Sequence, residues 1–285
     1  MIKLFVADVD GTLLNDRSEF ETETAEAIRR FQSQGGTFMV ATGRDPWELS
    51  DILSKVDGVV INCVNGALLC EDSGKVLFAD QIGEEYVRYA YKLGQEYSIP
   101  VQLHSEKRSY FGMDKPSFKK RAIANFGKYF ADPEDIFQGI YDDDHISYGV
   151  SLDLIPTDKI GKIEIMFMMD EELKLLDDIV NKEFNGCNIA KVRSMASYEI
   201  TSMEADKGLA ISRYCELKGI KEDETAVAGD GGNDIGMLKR FRNSYAMANA
   251  DEATKKAASF ITYSNAEKGI ARLLNEISDD NVRYL

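Results

Sequence analysis

Four acidic residues in two short clusters are the strongest candidates for chemistry in this chain: Asp8 and Asp10 in Asp8-Val9-Asp10-Gly11-Thr12, and Asp230 and Asp234 in Gly229-Asp230-Gly231-Gly232-Asn233-Asp234. Asp8 and Asp10 stand two residues apart, so while the chain stays extended both carboxylates point to one side, roughly 7 Å apart. Adding Asp230 and Asp234 puts three or four negative charges at one spot, which is tolerable only if a hard cation held by oxygen ligands offsets the repulsion. A divalent metal is implied, with Asp8, Asp10, Asp230 and Asp234 as its ligands. Mg²⁺ keeps several waters and takes one or two carboxylates plus a substrate phosphate, so the cluster suits phosphoryl chemistry. The Thr42 hydroxyl, backbone N–H groups around Gly11 and Gly43, and a lysine would then hold the equatorial phosphate oxygens, the glycines letting the backbone come close.

Each piece alone has a blander reading. A single D-x-D-G after a strand is most often a turn with capping aspartates. The Asp8 segment also mimics a calcium loop, with Glu19 at the twelfth position, but Leu13 occupies the sixth, where glycine is needed, and a strand precedes it instead of a helix. Gly229–Gly232 fits neither G-x-G-x-x-G nor G-x-x-x-x-G-K-[ST], and Thr42-Gly43-Arg44 alone reads as a loop with a helix cap. What lifts the joint reading is placement, because all three clusters follow buried strands, and open parallel α/β sheets bind ligands beyond the carboxyl ends of their strands.

The elements that must position these residues are legible from periodicity. Lys3–Ala7, Thr37–Ala41 and Gly58–Cys63 read as buried strands, separated by a helix over Glu21–Gln34, which ends at Gly35-Gly36, and a shorter one over Trp47–Lys55 behind Pro46. Asn65-Gly66 and Ser73-Gly74 punctuate short β segments. From Asp206 the alternation resumes: a helix to Lys218, strands Thr225–Ala228, Ser244–Met247 and Phe260–Thr262, and helices from Asp234, Glu252 and Ala266. Between these halves the pattern changes to helices Glu84–Tyr97 and Glu171–Phe184 mixed with alternating segments Pro100–Leu103, Ser109–Met113 and Lys162–Met168. The expected fold class is α/β: a doubly wound, Rossmann-like parallel-sheet core (1–83 and 191–285) interrupted by an inserted α+β domain (84–190), since each flanking piece alone is a partial sheet.

Composition narrows the function class. The chain has 285 residues, 44% of them hydrophobic, enough for two cores. With 34 Lys+Arg against 49 Asp+Glu its net charge is −15, which repels nucleic acid and anionic membrane surfaces. No apolar run reaches the roughly 20 residues of a membrane span, and no signal-peptide cleavage pattern follows Lys3. Cys63, Cys70, Cys187 and Cys215 form no C-x-x-C pair, and His104 and His145 lie too far apart for a local zinc motif. The expectation is a cytoplasmic protein, monomer or homodimer, with no nucleic-acid or membrane partner.

Asp8-Val9-Asp10-Gly11-Thr12-Leu13, Val40-Ala41-Thr42-Gly43-Arg44, Lys207 in Ala205-Asp206-Lys207-Gly208, and Gly229 through Leu238 resemble, in order and spacing, the four motifs of the haloacid dehalogenase-like superfamily. The large insertion between the second and third resembles its Cof-type phosphatases, which carry an α+β cap called C2B. The similarity spans nearly the whole chain, resting in the cap on position and pattern only. It implies that Asp8 is the nucleophile forming an aspartyl-phosphate, and that Asp10 protonates the leaving oxygen and then activates water. It further implies that Asp8, the backbone carbonyl of Asp10 and Asp230 bind Mg²⁺, with Asp234 acting through a metal-bound water. Thr42 and Lys207 would hold the phosphoryl group; Gly43, Arg44, Asn65, Gly66 and Asn233 are the implied substrate-binding positions. Gly231 departs from the pattern, since many relatives have serine there.

The resulting expectation is a Mg²⁺-dependent phosphatase acting on a small phosphorylated metabolite, a sugar phosphate or a phosphorylated cofactor, with the cap selecting the leaving group. A phosphomutase of the same superfamily shares every core motif, and a non-catalytic phosphometabolite-binding regulator is the alternative from another class. In the cap, Lys115, Lys119, Lys120 and Arg121 read as a solvated helix face, Asp142-Asp143-Asp144-His145 as an exposed acidic turn, and Tyr86, Tyr89 and Tyr97 as packing.

Overall fold

The computed structural model describes residues 1–127, 131–166, 170–192 and 197–283. In chain order its strands are β1 (Leu4–Ala7), β2 (Thr37–Ala41), β3 (Val60–Cys63), β4 (Leu68–Glu71), β5 (Val76–Ala79), β6 (Val101–Ser105), β7 (Ser109–Phe111), β8 (Ile146–Ser147), β9 (Ile160–Ile165), β10 (Cys187–Val192), β11 (Ser197–Ser202), β12 (Thr225–Gly229), β13 (Asn243–Ala246) and β14 (Phe260–Ile261). The helices are α1 (Thr22–Ser33), α2 (Ser50–Leu53), α3 (Glu84–Tyr97), α4 (Lys115–Phe126), α5 (Pro133–Tyr141), α6 (Asp170–Glu183), α7 (Lys207–Lys218), α8 (Ile235–Arg240), α9 (Glu252–Ala257) and α10 (Gly269–Arg283).

The chain divides into two units, 1–79 with 204–285, and 80–203. The first contains an eight-stranded sheet in the order β14-β13-β12-β1-β2-β3-β4-β5, parallel from β14 to β3 and antiparallel through β4 and β5. Its central strands are buried on both faces, and the period of two sends alternate residues to opposite cores. Phe5, Ala7, Phe38, Val40, Ala226 and Ala228 join one cluster with Ile28 and Phe31 of α1 and Leu274 of α10. Leu4, Val6, Met39, Ala41 and Val227 join the other with Ile211 of α7 and Leu238 of α8. Helices on both faces of a parallel sheet make this the expected doubly wound fold.

The second unit holds a six-stranded sheet, β10-β11-β9-β6-β7-β8, antiparallel except for the β7–β8 pair. Leu103, Ile163 and Ile200 pack on Val87 and Leu93 of α3 and on Leu176 and Val180 of α6. A smaller core of Phe111, Phe118, Phe126, Phe137, Tyr141 and Met166 forms around α4 and α5. The compact unit starts at 80 and ends at 203, against the expected 84 and 190. The shift has a physical cause: β10 pairs with β11, and β11 with β9, so a boundary at 190 would cut through a hairpin of this sheet. Of the expected strand Lys162–Met168, the part to Ile165 lies in β9 and residues 167 and 168 lie outside the described residues. The expected helix Trp47–Lys55 is a single tight turn, Pro46–Leu49, followed by the one-turn α2.

Candidate active site

Strand β1 delivers Asp8 to the sheet edge, and its N–H continues the parallel ladder by donating to the Ala228 carbonyl at 3.0 Å. Because β1 pairs with β12, Ala7 against Ala228, Asp8 lies beside the segment that carries Asp230. After Asp8 the chain stops being extended. Asp10 has φ −79°, ψ 125° and Gly11 φ +73°, and the Leu14 N–H closes the turn onto the Val9 carbonyl at 2.9 Å. Glycine is required at position 11 twice over, by its positive φ and because a Cβ would collide with the Asp230 carboxylate. Asn249 steadies the turn by donating to the Gly11 carbonyl at 2.8 Å, and itself accepts from the Asn265 N–H.

This turn corrects the expectation that Asp8 and Asp10 share a direction. Asp8 is 5% exposed, and its Oδ1 accepts from the Lys207 ammonium at 2.7 Å. The Asp10 side chain is 57% exposed and is gripped by the Arg44 guanidinium, Nη2 and Nε donating at 2.6 and 2.9 Å. The acidic cluster therefore comprises Asp8, Asp230 and Asp234, each offering a carboxylate oxygen within 4.8 Å of the others, and the Asp10 carboxylate stands outside it.

Lys207 opens α7, whose N-cap Asp206 accepts from the Leu209 N–H at 2.9 Å. A cation at a helix N-terminus opposes the helix dipole. Here that cost is offset, because the ammonium also donates to Asp234 Oδ1 at 2.7 Å and so lies between two carboxylates. Asp234 Oδ2 in turn accepts from the backbone N–H groups of Asp230 and Gly231, at 3.0 and 2.9 Å. Asp230 Oδ1 accepts from the Thr12 hydroxyl at 2.7 Å. Burial pushes the Asp8 carboxyl up to about 8, Asp234 and Asp230 adding to the effect and Lys207 opposing it. Burial acts against the Lys207 ammonium, but Asp234 and Asp8 outweigh it and hold its pKa above the usual lysine value. Burial raises Asp230 as well, Asp234 adding and the Thr12 hydroxyl opposing. Three carboxylates sharing one buried ammonium leave net negative charge.

That charge and its oxygen donors fit a hard divalent cation. Asp8 and Asp230 are the carboxylates best placed to ligate directly. Both oxygens of Asp234 already serve Lys207 and the backbone, which suits an indirect contact.

The remaining predicted residues fall into two groups. Thr42 is buried after β2, and its hydroxyl accepts from the Arg44 N–H at 3.1 Å. Gly43, Asn65 and Asn233 meet: a Cβ on Gly43 would press on Asn65 Oδ1, to which Asn233 Nδ2 donates at 3.4 Å. Asn65 takes a left-handed conformation, φ 56°, ψ 31°. Gly66 lies so close against the Asp206–Lys207 backbone that a Cβ would overlap it. Asn62, Asn249 and Asn265 were missed by the sequence reading, since lone asparagines in a strand or loops carry no pattern.

In the inserted unit three residues of the basic patch are matched by acids: Lys115 contacts Asp142, Arg121 meets Glu172 at 2.7 Å and Lys119 meets Glu134 at 3.5 Å. His145 pairs with Asp143 of the same acidic turn, and Tyr86 and Tyr89 pack on Phe184.

Asp8 at the end of β1, the buried Lys207, and Asp230 and Asp234 after β12 thus stand together. Residues 5–274 match the haloacid dehalogenase-like hydrolase family. The chain belongs to this family. It is 28% identical to YxeH of Bacillus subtilis, over 97% of this chain and 98% of that one. It is 23% identical to the 5-amino-6-(5-phospho-D-ribitylamino)uracil phosphatase YwtE of the same organism, over 97% and 98%. The fold is that of a haloacid dehalogenase-like hydrolase from Bacteroides thetaiotaomicron, with TM-score 0.81, 23% identity, and 97% of this chain and 100% of that chain covered. This family member is an enzyme of the phosphatase class. Among the described residues no helix is long and apolar enough to cross a membrane.

Proposed function

We propose that the protein is a cytoplasmic, Mg²⁺-dependent phosphatase that hydrolyses small phosphorylated metabolites, of the sugar-phosphate or phosphorylated-cofactor class, through an aspartyl-phosphate on Asp8. The observation that carries this reading is the Lys207 ammonium held at 2.7 Å from both Asp8 and Asp234, with Asp230 completing a three-carboxylate cluster. A buried carboxylate flanked by a fixed cation is a nucleophile prepared to meet an anionic phosphoryl group. Asp8, the Asp10 carbonyl and Asp230 would hold Mg²⁺, with Asp234 beside them, and the ion would supply charge neutralisation at the phosphoryl group.

The chain's own residues account for the rest. An Asp8 oxygen attacks phosphorus as the ester P–O bond breaks, and Asp10, released from Arg44 and carrying a proton, gives that proton to the leaving oxygen. Asp10 then takes a proton from water as that water attacks the aspartyl-phosphate, regenerating Asp8 and releasing inorganic phosphate. Lys207 and Thr42 hold phosphoryl oxygens, while Arg44, Gly43, Asn65 and Asn233 line the approach. Gly66 supports Lys207 from below instead of touching substrate. We assign leaving-group selection to the inserted unit. The burial of Cys63, Cys70, Cys187 and Cys215 suits a reducing compartment.

The test is phosphate release from a panel of phosphomonoesters, with and without Mg²⁺, by wild type and Asp8→Asn. Mg²⁺-dependent turnover, lost by at least about 10³-fold in the variant, is expected. Equal turnover by the variant would sink the role of Asp8. Release of no phosphate alongside transfer between two positions of a sugar would make the protein a mutase.

A further inference from the structure

Asn62 sits in β3 with none of its surface exposed. An amide buried in a strand between parallel β2 and antiparallel β4 packs poorly and loses its hydration, so a polar side chain there must be repaid by the bonds it makes. The Nδ2 group of Asn62 donates to the carbonyl of Lys207, at 3.0 Å, across the junction between β3 and the first turn of α7. A carbonyl can only accept, which sets the orientation of the amide. The other amide atom, Oδ1, meets no donor among the described residues. An apolar side chain of the same volume would leave nothing unsatisfied, so core packing does not explain an asparagine.

The main chain of the same residue points to the explanation. The Asn62 carbonyl accepts from the Thr42 N–H at 2.8 Å. The backbone of Asn62 thus holds Thr42, while its side chain holds the peptide from which Lys207 projects. Four residues on, Gly66 takes φ +96° and lies against the Asp206–Lys207 backbone, closing the same contact from the turn. Lys207 is 1% exposed and its ammonium is held by two carboxylates, so a shift of its backbone must be passed to the ammonium or break one of those bonds.

We propose that Asn62 is a positioning residue that sets the separation between the Thr42 hydroxyl and the Lys207 ammonium. These are the two groups assigned above to the phosphoryl oxygens, so the inference rests on the phosphatase reading. It touches neither substrate nor metal, and acts on the part of the site that grips the anion while leaving the carboxylates that would hold the cation.

The test compares wild type with Asn62→Leu, which keeps the branched shape at a larger volume, and Asn62→Ala, which cannot clash and serves if the leucine variant does not fold. The measurements are kcat and KM per folded molecule, inhibition by inorganic phosphate, the Mg²⁺ activation constant and Tm. The expected result is a fall in kcat of about tenfold or more, a weakening of phosphate inhibition by a similar factor, and a Mg²⁺ constant within about twofold of wild type. A folded variant with unchanged kcat and unchanged phosphate inhibition would overturn the proposal. So would a loss in which Mg²⁺ activation weakens as much as phosphate binding. Failure of the wild type to release phosphate would count against the phosphatase reading alone; binding of inorganic phosphate to wild type and variants would then decide on Asn62, equal affinities rejecting it.

Discussion

Asp8 is buried among like charges, and that placement makes its behaviour predictable. Its carboxyl is pushed up to about 8 by burial and by Asp234 and Asp230. Below that pH the carboxyl binds a proton that an incoming cation must displace, whereas above it no proton competes. The Mg²⁺ affinity, read as an activation constant, should therefore tighten by up to about tenfold per pH unit from pH 6 towards 8 and then level off; a flat profile would show that Asp8 does not compete with the cation for a proton. Asp230→Asn removes one carboxylate from the cluster while keeping the shape that receives the Thr12 hydroxyl. It should weaken Mg²⁺ activation by about 10- to 100-fold with Tm almost unchanged, and unchanged activity across a Mg²⁺ titration would remove Asp230 from the ligands. The acidic residues were legible as a set because their types and their places after strands are sequence properties. That Asp10 turns to Arg44 was not, because the turn depends on Gly11 fitting over Asp230, 219 residues away in the chain.

At the scale of elements, the first turn of α7 is the joint on which the site depends. Asp206 caps it, Gly66 packs on it and Asn62 ties its first carbonyl to β3. Asp206→Ala should cost about 1 kcal/mol of stability in urea unfolding. Because the same turn aims Lys207, kcat should fall by more than the small loss of folded protein accounts for; a kcat that follows the folded fraction would show that the cap serves stability alone. Most core elements were readable from local pattern: α1 stops at Gly35-Gly36, and the largely apolar β1, β2 and β12 announce strands buried on both faces. The β10–β11 hairpin was not readable, since its assignment to the second sheet is made by pairing with β9, a contact between distant segments.

For the whole molecule, net charge sets a long-range expectation. At −15, with Lys115, Lys119 and Arg121 of the α4 patch matched by Asp142, Glu134 and Glu172, the chain offers little cationic surface there for a polyanion. It should show no salt-sensitive retention of single- or double-stranded nucleic acid at about 50 mM salt in a mobility-shift assay; a shifted band that disappears at higher salt would contradict this. By itself the sequence determined the fold class, the insertion, the family and the residue types gathered at the strand ends, because burial periodicity and motif order are local properties of the chain. The tertiary structure alone decided which of those residues meet. It placed Lys207 between Asp8 and Asp234, released Asp10 to Arg44, moved Gly66 beneath Lys207 and drew Asn62 into the site's support. Those pairings follow from strand register and from backbone turns, which arise from contacts between segments up to some two hundred residues apart and so leave no local trace.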